Sequence, residues 1–346
     1  MNCNKIILLF LAALLIQLLV SKAPAMIDGK CSNCHTIHNL QDGQAVAYKL
    51  NSSLSDFVIN VTSEYPEGIP NEGLLITNCV GCHTSTGSNT IVNNTPIIFS
   101  TTAFNNPLAA GNFSYVQIND AYGHNVTEIT AEDAELGLTP PGGVAMSSQL
   151  SCAGEFGCHG DTSPGNSDVK GLKGAHHRND WAPIDGNTVN QSYRFLNGIL
   201  GKEDSDWEQD NTNTSHNEYK GSTSNSTATI SYFCAKCHRN FHTWEGGPSE
   251  VGTDSPWFRH PTDIALNNSG EYTNYINYSM TVPLARPDPD NVSDTALVTP
   301  GTDIIMCLSC HRAHASPYYK MLRWDYKSST LATALSGCNV CHTSKN

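Results

Sequence analysis

Cysteine pairs followed directly by histidine are the residues of this sequence best suited to chemistry. Five pairs have the form Cys-x-x-Cys-His: Cys31, Cys34 and His35; Cys79, Cys82 and His83; Cys234, Cys237 and His238; Cys307, Cys310 and His311; Cys338, Cys341 and His342. Two intervening residues put both sulfurs on one side of a tight turn, where they can form thioethers to one porphyrin while the histidine binds its iron. The pattern predicts c-type haem attachment.

A sixth pair has a longer spacing. Five residues separate Cys152 from Cys158, and His159 follows. The trailing histidine favours a haem held by a bulged loop, which would bring the total to six haems c. A disulfide or a zinc site is the alternative here. Zinc throughout the chain would use two Cys-x-x-Cys pairs per metal and would leave six trailing histidines without a role.

Histidines outside the motifs can supply the second axial ligand of each iron. Six such positions can be filled from His38, His124, one of the adjacent His176 and His177, His242, His260 and His314. Three of these lie three or four residues beyond a motif histidine, about one helical turn away, so each can reach another haem more easily than the same iron. The others lie in loops marked by glycine or proline. We therefore expect bis-His iron, and we expect His216, in a polar stretch, to face solvent.

The elements that carry these residues are predicted to be short. Gly, Pro, Asn, Ser and Thr interrupt nearly every stretch, which favours turns. The sequence predicts a fold that is mostly coil, with short α-helices, little sheet and a core organised by haem. A helix start is expected at Thr130–Asp133, a helix from Ser329 to Leu335 and a short strand at Phe57–Val61. No linker divides residues 26–346, so we expect a single domain there.

The N-terminal residues 1–25 have the layout of a secretory signal peptide. Lys5 precedes an apolar run from Ile6 to Val20, and Ala23-Pro24-Ala25 provides a cleavage site. An uncleaved anchor is the alternative, although the run is short for a membrane span. We expect a secreted or periplasmic protein whose mature chain has no membrane span. Loss of Cys3 would leave the twelve motif cysteines and no others.

The charge of the chain limits its partners. There are 19 basic and 32 acidic residues, a formal net charge of -13. Nucleic acid is therefore excluded as a partner, because neutralising phosphates requires clustered Lys and Arg. Carboxylates alternate at Asp204, Asp206, Glu208 and Asp210, a pattern that can bind calcium. The glycine turn and terminal glutamate of a standard calcium loop are missing, which favours a solvated acidic loop.

The motifs together resemble a known group. The signal peptide, the six haem motifs and the element Cys31–His38 resemble multihaem c-type cytochromes of metal-reducing microbes, and in particular OmcS-type hexahaem cytochromes that polymerise into extracellular filaments. The segments Phe258–Asp263 and Cys310–His314 are similar to this wider group as well. The resemblance covers the haem-bearing framework from residue 31 to 342. It implies that His38 binds a haem of the neighbouring subunit, so that copies of this chain are its partners.

Two functions compete at this stage. Bis-His ligation leaves no coordination position for a substrate, so we expect an electron carrier and no catalysis, with other cytochromes or extracellular acceptors as redox partners. The alternative is a multihaem reductase, which requires one iron with an open face. The irregular motif at Cys152 and Cys158 is where such an iron could lie. The Cys-x-x-Cys-Lys motif typical of cytochrome c nitrite reductases does not occur in the sequence.

Overall fold

The computed structural model describes six stretches of the chain. These are residues 79–87, 90–92, 95–100, 107–172, 184–242 and 260–344, together with the backbone of four N-terminal strands between residues 40 and 59. The predicted signal peptide lies outside the described residues. No helix within these stretches has the length and apolar character that crossing a bilayer requires.

Helices are one or two turns long. The α-helices of the described stretches are α1 (Asp168–Gly171), α2 (Ile230–Ala235), α3 (Leu331–Ala334) and α4 (Cys338–Cys341). Shorter 3-10 turns occur at Cys79–Gly81, Phe113–Tyr115, Asp120–Tyr122, Val189–Gln191, Tyr193–Phe195, Arg239–Phe241, Gly270–Asn274, Pro289–Asn291, Cys307–Ser309 and Tyr319–Met321. Such short segments gain little from helix propensity and depend on tertiary packing.

Strands form separate two-stranded ladders. They are β1 (Leu40–Gln41), β2 (Gln44–Ala45), β3 (Tyr48–Leu50), β4 (Phe57–Ile59), β5 (Thr84–Ser85), β6 (Ile91–Val92), β7 (Thr95–Pro96), β8 (Phe99–Ser100), β9 (Ser151–Ala153), β10 (Gly157–His159), β11 (Gly201–Lys202), β12 (Glu218–Tyr219), β13 (Ile264–Ala265) and β14 (Ile304–Ile305). The antiparallel pairs are β1–β2, β3–β4, β6–β7, β11–β12 and β13–β14, and the parallel pairs are β5–β8 and β9–β10. The predicted fold of coil, short helices and little sheet is confirmed.

Among the described residues the apolar core is divided into four clusters, and three of them pack against a motif cysteine. One cluster contains Ile199, Tyr219, Ile304 and Met306 and packs against Cys158. A second is built on Phe99, Phe113 and Ile129 and packs against Cys152. A third surrounds Leu266 and Leu284 and packs against Cys341. Apolar side chains thus surround the sulfurs at which the sequence predicts haem attachment.

Two of the three predicted elements are present. The strand expected at Phe57–Val61 is β4, two residues shorter than predicted. The helix expected after Ser329 is α3, but its N-cap is Thr330, whose Oγ1 accepts from the N–H of Thr333 at 3.4 Å.

The helix start predicted at Thr130–Asp133 is wrong. Asp133 Oδ1 accepts the N–H groups of Glu135 and Leu136 at 2.9 and 2.8 Å, and the Gly137 N–H bonds to the Asp133 carbonyl. Gly137 takes a φ of 55°, which turns the chain back. An aspartate that caps a turn in this way competes with the helix that it could otherwise start.

The acidic loop around Asp204 uses its carboxylates on its own backbone. Asp204 Oδ1 accepts from the N–H groups of Asp206 and Glu208, and Glu208 Oε1 accepts from the N–H of Asn217. Asp204 and Glu208 are buried, so the predicted solvated loop is wrong for these two residues. No metal-sized group of carboxylates is found within this loop, all of whose residues are described.

Candidate haem sites

The four described Cys-x-x-Cys-His motifs each form a single turn. In each, the N–H of the histidine donates to the carbonyl of the first cysteine: His83 to Cys79 at 3.0 Å, His238 to Cys234 at 3.0 Å, His311 to Cys307 at 3.1 Å and His342 to Cys338 at 2.9 Å. The histidine lies four residues after the first cysteine, and residues three and four apart are neighbours on one face of a turn. The spacing in the sequence therefore sets this local geometry directly.

The longer motif forms the bulged loop that its spacing predicts. Strands β9 and β10 lie on either side of the loop and pair in parallel, with Gly157 opposite Ser151 and His159 opposite Ala153. Gly154 has a φ of +74°, and a Cβ at Gly157 would lie 2.4 Å from the Ala153 backbone. Only glycine fits both positions. The two glycines therefore let the longer loop place His159 opposite Ala153 in the ladder.

In every described motif histidine, Nδ1 lies within hydrogen-bond distance of an oxygen acceptor. The partners are the carbonyl of Pro96 for His83 (2.9 Å), of Arg194 for His159 (2.8 Å), of Pro141 for His238 (2.9 Å) and of Lys320 for His311 (2.9 Å), and the carboxylate of Glu271 for His342 (3.1 Å). A carbonyl can only accept, so Nδ1 carries the proton. The Nε2 lone pair is then available to a metal, which is the usual second-shell arrangement of metal-binding histidines.

Three motif histidines face a second histidine across a common gap. The ring centroids are 6.1 Å apart for His238 and His124, 6.2 Å for His159 and His314, and 6.4 Å for His342 and His260. An imidazole nitrogen binds a transition metal at about 2.0–2.1 Å and lies about 1.1 Å from its ring centroid, so two imidazoles on opposite sides of one metal have centroids about 6.3 Å apart. The three pairs therefore fit bis-His coordination of one iron each.

Burial keeps several of these imidazoles neutral. The pKa of His124 is lowered to about 4 and that of His314 to about 3, first by burial and then by the nearest histidines. Burial also lowers the pKa of His83, His159 and His311. Neutral imidazole is the form that binds metal, so these groups need not lose a proton at pH 7 to become ligands.

His216 does not face solvent as predicted. It is buried and stacks on Tyr278, with ring centroids 3.9 Å apart. Its Nδ1 lies 3.0 Å from the carbonyl oxygen of Asn217, and its Nε2 lies 3.1 Å from that of Asn213 and 3.2 Å from that of Thr295. Both nitrogens thus face backbone oxygens, which agrees with leaving His216 out of the predicted ligands.

The remaining predicted ligands are not assigned to an iron. His242 is buried, and its Nε2 lies 3.0 Å from Asp263 Oδ2. The residues Cys31, Cys34, His35, His38, His176 and His177 lie outside the described part of the chain.

Two similar turns that are not predicted from the sequence hold motif histidines. Arg194 and Lys320 have φ values of 47° and 53° and present their carbonyls to His159 and His311. The next residue along each turn, also at positive φ, accepts from the backbone N–H that follows the histidine. We call this two-point contact the left-handed clamp. Its signal in the sequence is the repeated order Tyr, basic residue, large apolar residue, Leu, at 193–196 and 319–322.

Attachment cysteines of different motifs lie side by side. Ligand atoms of Cys79, Cys152 and Asp168 all lie within 4.8 Å of one another. The thiols of Cys234 and Cys307 are close enough to hydrogen-bond. The motifs that begin at Cys79 and Cys152 are therefore adjacent in space, and so are the motifs that begin at Cys234 and Cys307.

The comparisons with known proteins agree with the haem motifs. The family model described as "Doubled CXXCH motif" matches residues 300–346, which contain the motifs at Cys307 and Cys338. This C-terminal segment is a doubled CXXCH module. The match agrees with the haem attachment that the spacing of these two motifs predicts.

Two solved structures are similar to the whole chain. They are the outer membrane cytochrome S filament from Geobacter sulfurreducens and the OmcS nanowires from the same organism, the latter studied by cryo-EM. Each is 18% identical, with 93% of this chain and 100% of the other chain covered and a TM-score of 0.48. No curated protein sequence matches this chain.

Proposed function

We propose that residues 26–346 form one electron-transfer domain that carries six covalently attached haems c outside the cytoplasm. Haem iron carries one electron as it cycles between the ferrous and ferric states. The observation that carries the proposal is the set of three histidine pairs at 6.1 to 6.4 Å, each made of one motif histidine and one distant histidine.

The histidine pairs close both faces of an iron to other ligands. His159 and His314 form such a pair at the irregular motif, where an open iron was expected if the chain were a reductase. With both axial positions filled by protein nitrogen, substrate has no position to bind. These residues therefore favour an electron carrier over an enzyme.

The cysteines keep the haems in place and near one another. Twelve thioethers prevent loss of haem to the surroundings, which matters for an exported protein. Because Cys152 lies beside Cys79 and Cys234 beside Cys307, groups attached at these sulfurs are neighbours. Such closeness supports a relay along which electrons pass from motif to motif.

The ligands of the other three irons are part of the same proposal. His35, His83 and His311 need distal partners, and His38, His242 and one of His176 and His177 are the histidines left to supply them. His242 is buried, and it lies close enough to Cys307 to contribute to the lowered pKa of that thiol.

A haem count together with carbon monoxide binding tests this function. Intact mass and pyridine haemochrome analysis of the secreted protein should give six haems per chain, and the reduced protein should not bind CO. His314→Gly should then open one iron and allow one equivalent of CO to bind. Fewer than six haems per chain would contradict the proposed relay. An iron that binds CO in the unsubstituted protein would favour the alternative function, a multihaem reductase.

Assembly into a filament is the second part of the proposal, and it rests on the resemblance carried by Cys31–His38. His38 would bind a haem of the next copy of this chain. His38→Ala should abolish filaments in electron micrographs while leaving six haems attached, whereas His216→Ala, which removes a histidine not proposed as a ligand, should leave filaments intact. Filaments that persist in the His38 variant contradict ligation between copies.

A further inference from the structure

The histidine of the last motif has a different partner from the other motif histidines that the structure describes. Nδ1 of His342 lies 3.1 Å from Oε1 of Glu271, a carboxylate. His311, in the same doubled module, instead donates to the backbone carbonyl of Lys320 at 2.9 Å. The two halves of the module therefore differ in the charge of the group behind the proximal ligand.

Glu271 is held in this position by the C-terminal residues. Its other carboxylate oxygen accepts from Ser344 Oγ at 3.1 Å, and its backbone carbonyl accepts from Thr343 Oγ1 at 2.5 Å. Tyr272, the next residue, packs against the His342 ring with centroids 5.1 Å apart. The side chains of His342 and Glu271 are 23% and 14% exposed, so the contact is partly shielded from water.

A carboxylate behind an axial histidine changes the ligand in a known direction. A hydrogen bond to an anion is stronger than one to a neutral carbonyl, so Nδ1 shares its proton more fully and Nε2 becomes more basic. A more basic ligand and a nearby negative charge both favour ferric over ferrous iron. Both effects lower the reduction potential.

We propose that Glu271 sets the haem attached at Cys338 and Cys341 to a lower reduction potential than the haem attached at Cys307 and Cys310. This rests on the proposed function, since it requires that both motifs carry haem. Glu271 acts through His342 and is a positioning and tuning residue. The C-terminal end of the relay then remains oxidised while its neighbour is reduced, which gives the two halves of the module different roles.

Glu271→Gln is the direct test. The amide can still accept the His342 proton but carries no charge. A spectroelectrochemical titration should show that the reduction potential of one haem rises by about 59 mV. For one electron, this is about a tenfold shift of the equilibrium toward ferrous iron. The exposed Asp290→Asn removes the same charge elsewhere and should leave the titration unchanged. Glu271→Asp, which keeps the carboxylate, should restore part of the low potential.

A second measurement does not depend on how well the Glu271 variants fold. Cys338→Ser with Cys341→Ser deletes the last haem and should remove the lowest-potential step of that module, while Cys307→Ser with Cys310→Ser should remove a higher one. The reverse order, or an unchanged titration for Glu271→Gln, overturns the inference. Mass measurement on the same samples separates this from failure of the proposed function, which would appear as missing haem in the unsubstituted protein.

Discussion

The irregular motif ending at His159 and the regular motif ending at His311 follow different chain paths but hold their histidines in the same way. Five residues separate the cysteines of the first and two those of the second. In both, the two carbonyls of a left-handed clamp accept hydrogen bonds, one from the histidine Nδ1 and one from the backbone N–H of the next residue. The histidine is thus held by the same contacts in both motifs, while the extra residues between Cys152 and Cys158 form a loop.

The two clamps differ in how they are supported. The carbonyl that accepts from His311 is nine residues away in sequence, whereas the one that accepts from His159 is 35 residues away. Arg194 is in turn fixed by side-chain hydrogen bonds to the Asp204 carbonyl and to Asn217 Oδ1. The irregular motif therefore depends on a distant loop, and the regular motif depends on local chain.

The largest expected effect is loss of a haem at either motif. If both attach haem, Cys152→Ser with Cys158→Ser and Cys307→Ser with Cys310→Ser should each lower the intact mass by one haem. The physical reason is that no thioether can form without sulfur. An unchanged haem content for the first variant would show that the Cys152–Cys158 pair does not bind haem, as expected of a disulfide or a zinc site. The irregular and regular motifs would then not be comparable as haem sites.

The second prediction concerns the clamps themselves. Glycine relieves the cost of positive φ, roughly 1 kcal/mol, so Lys320→Gly should change stability by less than about 1 kcal/mol. Arg194→Gly should destabilise the protein by roughly 2 kcal/mol, because it removes two partly buried hydrogen bonds from a charged donor. Thermal unfolding of the holoprotein measures both changes.

A matched pair of variants checks that backbone conformation is the cause. Lys320→Val places a β-branched residue at positive φ and should cost roughly 1–2 kcal/mol. Lys202→Val alters an exposed lysine of β11, at a position that is not at positive φ, and should have a smaller effect. Equal losses from Arg194→Gly and Lys320→Gly would show that the two clamps have the same support.

Local features of these motifs follow from the sequence, and their surroundings do not. Residues four apart meet on one turn, so the bond between the His311 N–H and the Cys307 carbonyl follows from the spacing alone. The pairing of His159 with His314 joins residues far apart in the chain, and only tertiary packing decides it. The positive φ at Arg194 does not follow from its residue type, since basic residues rarely adopt it, and only the repeat of the same four-residue order at 319–322 marks the turn.

His216 shows the same limit from another side. Its polar sequence neighbours predict exposure, yet the Thr295 carbonyl that faces its Nε2 comes from 79 residues away. Burial of a polar side chain is possible when its hydrogen bonds are satisfied, and that depends on chain brought in from elsewhere. Sequence context therefore predicts the attachment chemistry better than it predicts which histidines are free to perform it.

The smallest expected effect is a pH dependence specific to the irregular motif. Glu128 Oε2 lies 3.7 Å from the Cys152 sulfur, and Asp168 is beside it. Burial, followed by the hydrogen bond and charge of Asp168, raises the pKa of Glu128 from 4.5 to about 7. The folded state therefore holds a proton that the unfolded state releases at lower pH.

The sign of the stability change follows from that difference. The contribution of protonated Glu128 is fully present below pH 4.5 and is lost as the pH rises through about 7. Glu128→Gln, which stays neutral, should match the original protein near pH 4.5 and exceed its stability at pH 8 by roughly 1–2 kcal/mol after solvent screening. The exposed Glu135→Gln should follow the original curve in thermal unfolding between these pH values. Parallel curves for the Glu128 variant and the original protein would mean that Glu128 binds its proton equally in the folded and unfolded states, and that its burial beside Cys152 gives the irregular motif no pH dependence of its own.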